Sequence, residues 1–292
     1  MSFCRIGIFG FLVIIPLILQ AKEPEPQDPI RFAPLPMEGK KILQEQFFGL
    51  VAYLGETLQR EIQVVEFLDY AELLTAFRED RVDLAYLGPL PYSLLAGADA
   101  DVEPVACFRE SDGASEYTCS LVASGDRRVD LAHTRALHIG MTQPYSTCGY
   151  LAVSLMLQQA GRNLDEGGIE FNYAGNHTSA ALGVARGEFD LAGVKSSIAR
   201  RYRHLNLQII AESPPFAGFG LYANGRQLTQ QTRDRLRQAL QRFDPAVSDQ
   251  APDLMRQWGG RLAHGTSQTS LCEDSKIRGA IDRLPPGWSG VR

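Results

Sequence analysis

Apolar positions along this chain follow two alternating spacings, one typical of buried strands and one typical of amphipathic helices. Short apolar runs predict strands over residues 30–35, 62–67, 82–87, 117–123, 137–141, 169–173, 190–194, 207–211 and 218–223. Apolar residues three or four positions apart predict helices over residues 42–54, 70–78, 92–95, 149–160, 178–186 and 229–243. This β-α-β-α order is typical of an α/β fold, with mostly parallel sheets covered by helices on both faces.

The pattern restarts after residues 117–123, which predicts two lobes rather than one. We place crossings between the lobes near residues 120–124 and 212–215. Lobe one is then expected to comprise residues 30–120 and 213–292, and lobe two residues 121–212. Two α/β lobes joined by two crossings commonly close around a ligand by a hinge motion. Because ligands of parallel sheets bind at the carboxyl ends of strands, the candidate site lies in those loops.

The first 21 residues are predicted to be a secretory signal. Arg5 precedes an uncharged apolar run over residues 6–19, and Ala21 ends a plausible cleavage site. The run is shorter than the ~20 residues that a spanning helix needs, so a cleaved signal is favoured over an uncleaved anchor. Residues 22–29 are proline-rich and predict an extended leader.

Export places the cysteines in an oxidising compartment, where disulfides persist. Cys4 is lost with the signal, and the remaining Cys107, Cys119, Cys148 and Cys272 allow three pairings. We favour a Cys107–Cys119 bridge, because these two cysteines flank a polar segment that contains Asp112-Gly113. No CxxC occurs, so a zinc site or a thioredoxin-type function has no support. We also expect no other metal and no cofactor.

Charge and motifs exclude several classes of function. The formal net charge is −5, which argues against a nucleic-acid-binding surface. The chain contains no HExxH, GxSxG, Walker A or GxGxxG motif, and we expect no enzyme activity. A hydrolase with Ser146 as nucleophile and His177 as base is the enzymatic alternative, although no third residue to orient the imidazole is apparent.

Hydrogen-bonding side chains occur where predicted strands give way to helices. Tyr70, Ser146, Thr147 and His177 all occupy such positions, and Tyr117 adds a phenol at the first crossing. Helix N-termini favour anions, and neutral or switchable donors suit a compact tetrahedral oxyanion. Taken singly, each of these residues also has a purely structural interpretation as a helix cap or a core residue.

Five segments, in order between residues 30 and 243, resemble the periplasmic phosphate-, phosphite- and phosphonate-binding proteins of ABC transporters. They are residues 69–71, 82–89, 116–117, 146–151 and 176–190. The resemblance implies a two-lobe periplasmic binding fold of type II, without catalysis, in a periplasmic protein. It implies that the phosphorus-bound oxygens are held by Tyr70, Tyr117, Ser146, Thr147 and His177. It also implies a small anionic ligand, an ABC permease as partner and a monomeric state.

Two departures from the family pattern affect the expected ligand. Cys148 stands where the family usually has a second serine; a thiol is a weaker donor, and Cys148 could instead form a disulfide with Cys272. Family members that bind aminoalkylphosphonates place an acidic residue where this chain has Lys195-Ser196-Ser197. We therefore expect a ligand without an ammonium group: phosphate, phosphite or a simple alkylphosphonate.

Three expectations stay open at this point. A charged His177 would make affinity fall as the pH rises through its pKa. The same module could present its ligand to a membrane receptor or sensor kinase rather than to a permease. Its ligand could also be a sulfonate, a carboxylate or a vitamin precursor, although the set of tyrosine, serine, threonine and histidine argues against that.

Overall fold

The computed structural model describes residues 28–98, 101–244, 258 and 260–284. The predicted secretory signal over residues 1–21, and residues 22–27 of the leader, lie outside the described residues. None of the helices in the described ranges combines the length and the apolar character that crossing a membrane requires.

A six-stranded sheet takes its strands from both ends of the described chain. In spatial order the strands are β13 (Thr266–Ser267), β4 (Val102–Phe108), β12 (Gly220–Asn224), β3 (Leu84–Leu87), β1 (Ile30–Pro34) and β2 (Ile62–Val64). β1 runs parallel to β2 and β3, whereas β12 is antiparallel to both of its neighbours.

A five-stranded sheet comes from the middle of the chain. In spatial order its strands are β10 (Leu207–Glu212), β6 (Cys119–Ser124), β9 (Leu191–Lys195), β7 (Leu137–Met141) and β8 (Ile169–Tyr173). β7 is parallel to β8 and β9, and β6 is antiparallel to its neighbours. A short ladder of β5 (Glu116–Tyr117) and β11 (Phe216–Ala217) lies beside the two crossings. We propose that the two large sheets mark the two lobes. β6 begins at Cys119, two residues before the boundary expected from the sequence, and β10 ends at Glu212, at the expected boundary.

Helices connect these strands. They are α1 (Lys40–Leu58), α2 (Tyr70–Arg78), α3 (Pro89–Gly97), α4 (Ala152–Gln159), α5 (His177–Ala185), α6 (Ser196–Arg201), α7 (Gln230–Gln241) and α8 (Ser275–Ile281). The α/β class predicted from the sequence is confirmed, and the bounds of α2, β7 and β8 coincide with the predicted ones. The parallel strands are those joined by the predicted helices, while the strands next to the crossings are antiparallel.

The sequence pattern missed β4. Pro104 and the neighbouring Glu103 interrupt the apolar run there, and proline cannot donate to a strand ladder. The register against β12 shifts at this point: Leu221 lies opposite Ala106 and Tyr222 opposite Pro104, so Val105 is bulged out. A bulge of this kind lets a proline sit inside the sheet.

The expected disulfide pairings are wrong. Cys107 bonds Cys272, with their Cα atoms 5.4 Å apart, and Cys119 bonds Cys148, with their Cα atoms 5.1 Å apart. Cys107 and Cys119 cannot close a loop together, because Cys107 lies in the six-stranded sheet and Cys119 in the five-stranded sheet. Neither the favoured Cys107–Cys119 bridge nor the alternative Cys148–Cys272 bridge forms.

Candidate anion-binding site

All six residues singled out from the sequence line one cavity between the two sheets. The volume inside it that is open to the centre of a water-sized sphere is about 10 Å³. Its lining consists of Tyr70, Tyr117, Ser146, Thr147, Cys148 and His177 together with Leu35, Gly88, Pro91, Lys195 and Phe219. This volume is room for about one water molecule, so the lining side chains lie close together and the cavity suits only a compact ligand.

Several helices begin at this cavity. Tyr70 and His177 are the first residues of α2 and α5, and Gly88 precedes the first residue of α3. The side chains of Asp69 and Asn176 cap α2 and α5 by accepting hydrogen bonds from the backbone N–H groups of residues 72 and 179, each at 2.8 Å. Because helix N-termini have a positive partial charge, their convergence favours an anion.

Ser146 begins the turn that leads into α4. Its Oγ accepts a hydrogen bond from the Gly149 N–H at 3.0 Å, and residues Thr147–Leu151 form one π-helical turn before α4. A Cβ atom at Gly149 would lie 2.0 Å from Thr142 Oγ1, so a larger residue would push the turn away from β7. The turn is thus held close to the end of the strand that precedes it.

The two residues after Ser146 have different roles from each other. Thr147 Oγ1 accepts a hydrogen bond from the Leu90 N–H at 3.2 Å, which links the turn to the first turn of α3. Cys148 is bonded to Cys119, so the weak thiol donor considered from the sequence does not exist. The disulfide instead fixes the turn to the first residue of β6.

His177 is buried, and a main-chain group determines which of its nitrogens holds the proton. Its Nδ1 accepts a hydrogen bond from the Lys195 N–H at 3.3 Å. An imidazolium has hydrogens on both nitrogens and cannot accept, so we assign a neutral ring with its proton on Nε2. In this arrangement the ring offers the cavity an Nε2–H donor. The expected charge on His177 concerns the ligand-bound state and stays a prediction.

Tyr117 is held by a stack of aromatic rings that begins in the core of the six-stranded sheet. Tyr86 stacks on Phe219 with ring centroids 5.4 Å apart, and Phe219 stacks on Tyr117 at 5.5 Å. Phe47 packs edge-on against Tyr86 at 4.9 Å. This packing positions the Tyr117 phenol at the cavity wall with little rotational freedom.

Lys195 is the charged lining residue that the sequence did not assign to the site. Its side chain is 2% exposed, at the end of β9, and its Nζ lies 2.5 Å from Glu110 Oε1. The same Nζ lies 4.5 Å from the centroid of the Tyr117 ring. A lysine that ends the otherwise buried, apolar strand Leu191–Lys195 was the available signal. No group of His, Cys, Asp and Glu side chains in the described part of the chain is arranged to hold a metal ion.

A protein-family model for the periplasmic substrate-binding proteins of ABC phosphonate transporters matches residues 32–267. The chain belongs to this phosphonate-binding family. Two curated relatives are similar over shorter stretches. The phosphate-import protein PhnD of Mycolicibacterium smegmatis is 26% identical over 170 residues, which are 55% of this chain and 53% of that protein. The phosphonates-binding periplasmic protein of Escherichia coli is 23% identical over 234 residues, 75% of this chain and 68% of that protein.

Solved structures of phosphonate-binding proteins share the fold. A binding component of an ABC phosphonate transporter from Pseudomonas aeruginosa aligns with a TM-score of 0.71 at 21% identity, covering 87% of this chain and 86% of that one. PhnD1 of Prochlorococcus marinus, in complex with methylphosphonate, aligns with a TM-score of 0.70 at 17% identity, covering 87% of this chain and 98% of that one. The family is one of transport components that bind substrates, which agrees with the expectation that the chain is not an enzyme.

Proposed function

We propose that this protein captures a small phosphorus oxyanion in the cavity between its lobes and delivers it to an ABC permease from the periplasm. The ligand is a phosphonate, phosphite or phosphate. The observation that best supports the proposal is the convergence of Tyr70, Tyr117, Ser146, Thr147 and His177 on one buried cavity at helix N-termini. Neutral N–H and O–H donors at such a place can surround a tetrahedral anion, and no resident cofactor is involved.

The ligand has no ammonium group. A cationic substituent would meet the ammonium of Lys195, which already has its counter-ion in Glu110. Glu110 offsets part of the repulsion between like charges, but Lys195 lines the cavity and Glu110 does not, so the repulsion from the nearer charge dominates. The small cavity also supports a compact substituent on phosphorus, such as hydrogen, hydroxyl or methyl.

Hydrolysis is disfavoured by the hydrogen bonds of the two residues it would need. A general base that takes a proton from serine has its other nitrogen protonated and donating to an orienting group. In this chain the His177 Nδ1 accepts from a main-chain N–H, and the Ser146 hydroxyl caps its own turn. Both arrangements suit the binding of a ligand that is not hydrolysed.

The proposal is tested by calorimetry on the chain without residues 1–21, with phosphate, phosphite, methylphosphonate, 2-aminoethylphosphonate, sulfate and ethanesulfonate. We expect saturable binding of one phosphorus oxyanion, with 2-aminoethylphosphonate at least about 10-fold weaker. Ser146→Ala and His177→Ala should each weaken binding about 10-fold, the loss expected for one or two hydrogen bonds. His177→Gln should retain most of the affinity, because its amide can replace the Nε2 donor.

Ser154→Ala is the matched control, since it removes a buried hydroxyl from α4 that does not line the cavity. The proposal fails if no phosphorus oxyanion binds, or if the control weakens binding as much as Ser146→Ala does. Tighter binding of 2-aminoethylphosphonate than of methylphosphonate would overturn the assignment of a ligand without an ammonium group.

A further inference from the structure

The side-chain amide of Gln143 joins the two lobes beside the cavity. Gln143 follows β7 in lobe two and is buried. Its Oε1 accepts a hydrogen bond from the Tyr70 N–H at 2.9 Å, and its Nε2 donates to the Pro36 carbonyl at 3.0 Å. Both of these partners belong to lobe one. Nε2 also donates to the Gly175 carbonyl at 2.8 Å, within lobe two.

These three hydrogen bonds use both hydrogens of the amide nitrogen and the amide oxygen. The bonds to Tyr70 and Pro36 can exist only when the lobes lie against each other. When the lobes separate, the Gln143 amide, the Tyr70 N–H and the Pro36 carbonyl must form hydrogen bonds with water instead of with one another. The amide therefore favours the closed arrangement through contacts that are entirely between protein groups.

Gln143 can be separated from ligand contact. It does not line the candidate site but the neighbouring, larger cavity, together with residues such as Pro36 and Gly175. Two other interlobe contacts, Thr147 with Leu90 and Lys195 with Glu110, involve side chains that do line the site. A change at either of those pairs would remove a lining group as well as an interlobe contact, whereas a change at Gln143 removes no group that lines the site.

Tyr70 gives the interaction a second consequence. Its backbone N–H is bound by Gln143, while its ring lines the site as the first residue of α2. Closing the lobes onto Gln143 thus sets the position at which α2 presents the Tyr70 side chain to the ligand.

We propose that Gln143 is a positioning residue that stabilises the closed state and holds Tyr70 at the site. This inference rests on the proposed function in assuming that the ligand binds between the lobes. In the ligand-bound protein the closed state retains the ligand, so weakening closure weakens binding although no lining group is removed. Because ligand enters the open cleft and leaves after opening, the effect falls on dissociation.

The test replaces Gln143 with leucine, which has a similar volume and no polar atoms. We expect methylphosphonate to dissociate about 10-fold faster in stopped-flow displacement, with its association rate changed less than about twofold. Small-angle X-ray scattering at saturating methylphosphonate should give native and variant proteins the same radius. At subsaturating ligand the variant should be the larger of the two.

Gln208→Leu is the matched control. The Gln208 amide donates to the carbonyls of Ser124 at 3.2 Å and Arg127 at 3.0 Å, both in lobe two. Its loss should leave both rates and the radius unchanged. Gln143→Glu is the second variant: a carboxylate can still accept from the Tyr70 N–H but cannot donate to Pro36, so dissociation should also accelerate.

The proposal is overturned if Gln143→Leu dissociates at the native rate while remaining folded by circular dichroism. It is also overturned if Gln143→Leu binds methylphosphonate more weakly because association is slower, or if Gln208→Leu accelerates dissociation as much as Gln143→Leu does. Failure of the proposed function is distinguishable, because the native protein would then bind no phosphorus oxyanion. In that case scattering of ligand-free native and Gln143→Leu proteins decides: a larger radius for the variant supports the inference, and equal radii overturn it.

Discussion

Lys195 is a buried cation whose environment compensates the cost of removing it from water. Burial of an unpaired ammonium is strongly unfavourable, and a close carboxylate offsets that cost. Glu110 Oε1 lies 2.5 Å from the Lys195 Nζ, and the Tyr117 and Phe219 rings present their faces to the same atom. The pair joins lobe two to lobe one, and its cationic member is the one that lines the candidate site.

We predict that Lys195→Met lowers the free energy of unfolding by about 3 kcal/mol at pH 7, because it leaves Glu110 without its cation. Lys195→Met combined with Glu110→Gln should recover most of that loss. In the double variant the preference for methylphosphonate over 2-aminoethylphosphonate should narrow, because the lost repulsion from Lys195, which lines the site, outweighs the lost attraction of Glu110, which does not line it. Chemical denaturation and calorimetry measure the two effects.

Arg186→Met with Glu188→Gln is the matched control for this pair. Arg186 Nε lies 2.6 Å from Glu188 Oε1, but both side chains are more than half exposed. Exposed ion pairs contribute little, so neither stability nor ligand preference should change measurably. A double variant at positions 195 and 110 that stays as unstable as the single one would contradict the account of the buried pair.

The residues that the sequence identified have local signals. Ser146 and His177 stand between an apolar strand and a helix, a pattern visible within about ten residues. Gln143 lacks such a signal, and the signal at Lys195, a lysine that ends a buried strand, does not indicate its partner. Both partners are distant: Glu110 is 85 residues from Lys195, and Tyr70 is 73 residues from Gln143. Their roles depend on which residues of the two lobes contact each other, and the spacing of apolar residues along the chain does not determine those contacts.

The same difference between local and distant interactions explains why helix α2 was predicted correctly and the disulfides were not. The bounds of α2 were predicted correctly because Asp69 caps it with its own side chain. The disulfides were mispaired because pairing depends on which sheet each cysteine enters. Cys119 begins β6, opposite Lys195 of β9, and so lies next to the turn that contains Cys148. Cys107 lies opposite Ser267 of β13, near Cys272.

The two disulfides should differ in their main effect: one contributes more to stability, and the other more to ligand binding. In the chain-entropy model a bridge contributes more when it closes a longer loop. The Cys107–Cys272 bridge spans 165 residues and should contribute about 5 kcal/mol; the Cys119–Cys148 bridge spans 29 and should contribute about 3.5 kcal/mol. Only the shorter bridge holds the turn that begins at Ser146.

Replacing both cysteines of one bridge by alanine, in two separate variants, should therefore lower mainly affinity in one variant and mainly stability in the other. The variant without Cys119–Cys148 should lose about 10-fold in methylphosphonate affinity, because the turn at the site is released. The variant without Cys107–Cys272 should lose more stability but keep its affinity within about twofold. Denaturant titration and calorimetry on both variants check this. Equal affinity losses in the two variants would show that the bridge near the site does not position the turn.

The two lobes meet at a polar network around the crossings. Thr118 Oγ1 donates to Glu212 Oε1 at 2.9 Å and lies 2.8 Å from Ser196 Oγ. Hydrogen bonding from Ser196, followed by Thr118 and the nearby Arg200, holds the pKa of Glu212 below its ordinary value. Glu212 therefore stabilises the crossings while it is ionised, and that contribution is lost as the pH falls through its lowered pKa.

The two-sheet architecture was predictable because the β-α pattern restarts in the middle of the chain. The contacts that hold the closed arrangement were not predictable, since each joins residues from different lobes. A ligand bound between the sheets touches both, so its binding energy must act on the whole molecule. Binding should therefore raise thermal stability and reduce the size of the protein together.

At 100 times its Kd, methylphosphonate should stabilise the native state by about 2.7 kcal/mol. For a protein of this size that corresponds to a rise in Tm of about 5–10 °C. Calorimetric melting and small-angle X-ray scattering, on the chain without residues 1–21, measure both changes in one set of samples. Sulfate at the same concentration is the control and should change neither. A raised Tm with an unchanged radius would mean that the ligand binds one lobe alone, because stabilisation without closure requires no contact across the cleft.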